Sequence, residues 1–124
     1  ALNEFKRLLK PGGYLIITAP FASITHFAPY FFYSGFSRYF YETHLANNGF
    51  EITDMVYNGN YFEYLAQELR RINTVAKKYT GKKQGLIGKI GVQFVLWSLT
   101  QLSAKGGKSD ELLHYGCQVF ATKK

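Results

Sequence analysis

The residues best suited to chemistry lie in one aromatic stretch, residues 21–36. An imidazole exchanges a proton near neutral pH, so His26 is predicted to act as the catalytic general base. Large aromatic side chains make stiff apolar pocket walls, and tyrosine hydroxyls add polar groups to them. The pattern therefore predicts Phe21, Tyr30 and Tyr33 as substrate-binding residues.

Two other interpretations of this stretch stay open. His26 could be a structural imidazole that is hydrogen-bonded to the backbone. In the general-base interpretation, by contrast, its aromatic neighbours are expected to shield it partly from water. The phenylalanines of the stretch could pack as a small apolar cluster under the loop instead of lining a pocket. These are Phe27, Phe31, Phe32 and Phe36.

Metal and disulfide chemistry find little support in the sequence. The three histidines lack the spacing of metal ligands, so no metal is expected. Cys117 is the single cysteine, which excludes a disulfide within the chain and fits a reducing, cytoplasmic environment.

The aromatic stretch follows an apolar segment, Tyr14–Ala19, which predicts a strand covered on both faces, as in a parallel sheet. Pro11 and Gly12 suit the two central positions of a type II turn before it. Because ligands bind outside the carboxyl ends of strands in open α/β sheets, residues 21–36 are expected on the ligand side.

The remaining pattern alternates helices with strands. A helical face at the start holds Leu2, Phe5, Leu8 and Leu9. Helices are predicted over Arg38–Asn47, Tyr61–Tyr79 and Leu86–Ser103, and strands over Phe50–Tyr57 and Leu112–Thr122. In the strand Phe50–Tyr57, strict alternation puts Asp54 on the face of Phe50, Ile52 and Val56.

The segment 2–20, LNEFKRLLKPGGYLIITAP, resembles the helix and fifth strand of class I S-adenosylmethionine-dependent methyltransferases of the type 11/12-like kind. It is closest to the phrase L-x-E-x-x-R-V-L-K-P-G-G-x-L-x-I-x-x-P, with Leu8 where valine is commoner. The order of later elements also fits that family. The resemblance implies an α/β fold, the C-terminal half of a Rossmann-like methyltransferase domain, with the last strand antiparallel between the two earlier ones.

The resemblance further implies S-adenosylmethionine as cofactor and methyl transfer to the O, N or C atom of a small-molecule or carrier-linked acceptor. Residues 1–124 are expected to form the C-terminal part of one domain, with a two-helix insertion over about 60–105. The N-terminal half that binds the cofactor is expected to be absent, so no cofactor-binding residue is assigned here. The chain alone is expected to be inactive.

Charge and apolar surface suggest other partners. The formal net charge is +7, and six basic residues cluster over 70–83. The cluster holds one aromatic residue, Tyr79, and lacks the repeated aromatic interleaving of a single-strand binder, so nucleic acid is not expected. An exposed sheet edge would favour self-association. The apolar helix Leu86–Ser103 with its neighbouring lysines keeps a second hypothesis open, a basic membrane-surface or protein-interaction module without catalytic activity.

Overall fold

The fold is known from a computed structural model that describes residues 1–26 and 28–124. The chain divides into two compact units, residues 1–58 with 115–124, and residues 59–114. The elements in chain order are α1 (Leu2–Leu8), β1 (Tyr14–Pro20), α2 (Arg38–Asn47), β2 (Phe50–Asn58), α3 (Tyr61–Thr80), α4 (Leu86–Ala104), a 3₁₀ turn (Ser109–Glu111) and β3 (Gly116–Lys123).

The first unit is built on a sheet with the order β1-β3-β2. β3 is antiparallel to both neighbours, and its Val119 lies opposite Ile17 of β1 and Met55 of β2. This is the position expected for the last strand. Three strands do not establish a Rossmann-like fold, which stays a prediction. The predicted start at Leu112 is wrong, because the 3₁₀ turn comes first and the strand begins only at Gly116.

The turn before β1 has the expected geometry. Gly12 has φ +77°, and the N–H of Gly13 donates to the C=O of Lys10 at 2.9 Å. Pro11 and Gly12 therefore occupy the central positions of a type II turn.

The core of the first unit lies on one face of the sheet. Leu45 of α2 and Val119 of β3 are fully buried, and burial of such side chains stabilises by about 1.5–3 kcal/mol each. The cluster consists of Leu15, Tyr41, Leu45, Phe50, Cys117, Val119 and Ala121. The opposite face of β1 is open: Tyr14 is 80% and Ile16 63% exposed. The expectation of a strand covered on both faces is wrong for the described chain, because α1 and α2 contribute to the same core face.

A β-bulge in β2 changes which residues face the core. The register shifts between Ile52 and Asp54, so that Asp54 pairs with Phe120 and Met55 pairs with Val119. Ile52 and Met55 both pack on the core, while Asp54 is exposed. The predicted strict alternation, with Asp54 on the core face, is wrong because the bulge inserts one residue.

The first helix is less amphipathic than its sequence indicates. Leu2 and Leu9 pack against the core, but Leu8 is 64% exposed and Phe5 is 38% exposed. α1 ends at Leu8, and the backbone at Leu9 is extended. The position of the Leu9 side chain on the core therefore does not follow from the helical repeat.

The second unit contains a pair of helices, α3 and α4, whose predicted ends are correct to within one residue. The Asn60 side chain caps α3 by accepting from the N–H groups of Phe62 and Glu63. Gly81 ends α3 in the left-handed region, with φ +72°. The N–H of Gln84 then donates to the Asn73 side chain at 3.1 Å and fixes the link to α4.

Candidate functional site

The aromatic loop 21–36 is fixed at both ends next to the carboxyl end of β1. The N–H of Phe21 donates to the C=O of Tyr115 at 3.1 Å, and the N–H of Phe36 donates to the C=O of Pro20 at 3.0 Å. Gly35 lies so close to this strand end that a Cβ there would collide with the carbonyl groups of Pro20 and Phe21. The return of the loop therefore requires glycine.

The loop encloses an open cavity of about 310 Å³. It brings together three of the four predicted site residues, His26, Tyr30 and Tyr33, whereas Phe21 is not among its lining residues. Tyr30 is 76% and Tyr33 is 73% exposed, so these rings form an accessible rim. The remaining lining residues are Pro20, Ser23, Phe31, Phe32, Gly35 and Phe36.

The His26 ring has a defined orientation. Its Nδ1 lies 2.8 Å from the carbonyl oxygen of Ile24, and its ring centroid is 5.1 Å from that of Phe31. A carbonyl oxygen only accepts, so Nδ1 is the protonated nitrogen. In the neutral ring Nε2 is then the basic nitrogen. The residue is exposed, so the expected shielding from water is not found.

The structural interpretation of His26 thus concerns its Nδ1, and the general-base interpretation concerns its Nε2. The bond from Nδ1 to Ile24 is structural, and the same bond assigns the accepting role to Nε2. Neither interpretation excludes the other.

The loop phenylalanines divide between core and surface. Phe36 packs on the core, with its ring centroid 4.4 Å from that of Phe40. Phe31 is half-buried beside His26, and Phe32 is 75% exposed. Phe27 lies outside the described residues. The described phenylalanines therefore do not form one packed cluster under the loop.

A second cavity, of about 300 Å³, lies at the carboxyl ends of β1 and β2. Asn58 and Tyr115, neither of which was predicted as a site residue, line it together with Thr18. The N–H of Tyr115 donates to the C=O of Asn58 at 2.9 Å, and its own carbonyl accepts from Phe21. The sequence signal that could have identified Asn58 is its place at the end of a strand parallel to β1.

The cysteine does not contribute a reactive group. Cys117 is buried, and burial raises the pKa of its thiol, which keeps it protonated and unreactive. Burial also raises the pKa of the neighbouring Tyr41 hydroxyl. Across residues 1–26 and 28–124, no group of three or more potential ligands is arranged to hold a metal ion.

Comparison with known proteins gave no match to a family model, to a curated protein or to a solved structure. Within the described part of the chain, no helix is both long and apolar enough to cross a membrane.

Proposed function

We propose that the chain forms the acceptor-binding side of an S-adenosylmethionine-dependent methyltransferase. The aromatic loop would bind a small-molecule or carrier-linked acceptor at the carboxyl end of β1. The proposal starts from the resemblance of residues 2–20 to that family. The strand order of the sheet, β1-β3-β2, is consistent with the order that the resemblance implies.

One observation carries the proposal for the site. His26, Tyr30 and Tyr33 are separated by up to seven positions, yet they line one cavity. The two tyrosines supply ring surface and hydroxyl groups that suit a planar acceptor with polar substituents. Phe21, the fourth predicted residue, contributes through its backbone bond to Tyr115 at the base of the loop.

His26 is proposed to accept the proton that the acceptor loses. In methyl transfer S-adenosylmethionine supplies the methyl group, and a hydroxyl acceptor gives up its proton as the new bond forms. The bond between Nδ1 and Ile24 fixes the ring in the tautomer whose Nε2 accepts. Tyr30 and Tyr33 would hold the acceptor in line with the methyl group.

The described residues do not by themselves fit the cofactor. A cofactor cradle follows a strand and opens a helix, whereas Gly12 and Gly13 precede β1. No step is therefore assigned to cofactor-binding residues in this chain. The chain alone is expected not to bind S-adenosylmethionine in titration calorimetry, and micromolar binding would contradict this division of roles.

The catalytic test is His26→Ala in the full-length enzyme, with His44→Ala as matched control. His44 lies on α2 and does not line the cavity. Transfer of tritiated methyl groups to a panel of phenolic and other hydroxylated small molecules gives the rate. Loss of a general base lowers turnover by about 10²–10⁴-fold, and S-adenosylmethionine affinity should not change.

The control sets the threshold for this test. A loss below about fivefold in His26→Ala, no greater than the loss in His44→Ala, would assign His26 the structural role alone.

A further inference from the structure

Helix α4 has two apolar faces, and α3 covers only one of them. Leu99 is buried, and Val92 and Leu96 are half-buried on the side that packs in the helix pair. At 100° per residue, a second set of large apolar side chains points away from these three. This outward stripe of α4 consists of Leu86, Ile87, Ile90, Phe94 and Trp97, each between 61% and 88% exposed.

The chain segment that contains the outward stripe carries charge of one sign. Residues 69–109 contain nine basic residues and no aspartate or glutamate. They are Arg70, Arg71, Lys77, Lys78, Lys82, Lys83, Lys89, Lys105 and Lys108. Lys82 and Lys83 lie in the link four and three residues before Leu86, Lys89 lies in the first turn of α4, and all three are exposed. The apolar stripe is therefore bordered by cations at its N-terminal end.

The apolar stripe and the lysines at its N-terminal end together favour one binding partner. We propose that the outward stripe of α4 docks on an anionic lipid surface, with Lys82, Lys83 and Lys89 at the headgroups. Apolar and aromatic side chains on one helix face, next to lysines, match the way helices lie in the bilayer interface. The proposal goes beyond the methyltransferase function and does not depend on it.

A second copy of the chain fits this surface less well. Residues 59–114 hold nine basic and four acidic residues, so the unit has a formal net charge of +5. Pairing two outward stripes would bring two such units together, and like charges oppose that contact. An anionic lipid surface provides the opposite charge and an apolar layer at once.

The dimensions of the stripe also suit this occupant. From Leu86 to Trp97 the helix rises about 16 Å, at roughly 1.5 Å per residue. Phe94 and Trp97 lie toward the far end of the stripe from the lysines, with ring centroids 6.0 Å apart. A helix lying flat could thus insert both rings while the lysine ammonium groups reach the headgroups.

The test uses Trp97, the single tryptophan, as a reporter in the stripe itself. The chain is titrated with vesicles of phosphatidylcholine alone or with 30% phosphatidylglycerol, while Trp97 emission and flotation are recorded. We expect a blue shift and flotation only with phosphatidylglycerol, and loss of both at high salt.

Matched variants separate the two contributions. Lys82→Gln with Lys83→Gln should weaken binding about 25-fold, at roughly fivefold per lysine. Ile90→Ala with Phe94→Ala should weaken it at least about tenfold, with helix content by circular dichroism unchanged. Lys6→Gln with Lys10→Gln, which removes the same charge from the other unit, should have little effect.

Three results would overturn the proposal. One is the absence of flotation with phosphatidylglycerol vesicles at low salt. Another is equal binding of the two lysine double variants. The third is a lipid-free dimer whose Trp97 emission is already blue-shifted and which Phe94→Ala dissociates, because the occupant would then be a second copy.

Discussion

Replacement of Gly35 tests how the aromatic loop is held against β1. A Cβ at this position would collide with the carbonyl groups of Pro20 and Phe21, which are backbone atoms that cannot rotate away. Gly35→Ala should therefore push the loop off the strand end and break the 3.0 Å bond from the N–H of Phe36 to Pro20. Every other residue that lines the cavity stays unchanged in this variant.

The expected cost has two parts. Loss of one backbone hydrogen bond costs about 1 kcal/mol, and backbone strain at such a site costs about 1–3 kcal/mol. Gly35→Ala should thus lower the free energy of unfolding of the first unit by about 2–4 kcal/mol. Gly12→Ala is the matched control: Gly12 also has a positive φ, but a Cβ there meets no atom within 4 Å, so about 1–2 kcal/mol is expected.

Urea unfolding followed by near-ultraviolet circular dichroism measures the difference. If Gly35→Ala lowers the free energy of unfolding by no more than Gly12→Ala does, the close approach of residue 35 to the end of β1 does not hold the loop. The reasoning about the cavity then fails.

Three further predictions concern the rest of the chain. Asn60→Ala should lower the free energy of unfolding by about 1 kcal/mol in urea melts, and Ser37→Ala by clearly less, because the Ser37 side chain makes no capping bond. Burial raises the folded-state pKa of Cys117 and of Tyr41 above the ordinary values of 9.0 and 10.0. Their contribution to stability is complete below pH 9 and is lost as the pH rises further, so urea melts at increasing pH should show a decline that Cys117→Ala reduces; an unchanged slope would contradict this account. In the described structure β1 pairs only with β3, so light scattering should detect self-association through its other edge, and Ile16→Lys should weaken it; a monomer at high concentration would refute this.

Only part of the candidate site could be predicted. The placement of His26, Tyr30 and Tyr33 on one loop after β1 follows from their order in the sequence. The tautomer of His26 depends on its bond to the carbonyl oxygen of Ile24, which the loop conformation creates and the sequence does not specify. Asn58 was missed because the predicted strand Phe50–Tyr57 ends one residue before it, although the strand order that the resemblance implies already makes β2 parallel to β1.

The sequence by itself determined the features that depend on neighbouring residues. Pro11 and Gly12 specify the turn, and Asn60 and Gly81 specify the ends of α3, because each depends on local φ values or on a side chain that reaches its own backbone. These elements would keep their ends in many tertiary contexts.

Only the tertiary structure decided which surfaces are covered. The bulge before Asp54 depends on the pairing of β2 with β3, which keeps Ile52 and Met55 on the same face. In α4 both faces are apolar, so composition could not tell which one packs; contact with α3 buries Leu99 and leaves Phe94 exposed. Burial depends on contacts between residues distant in sequence, and the free energy of those contacts is not encoded in any short segment.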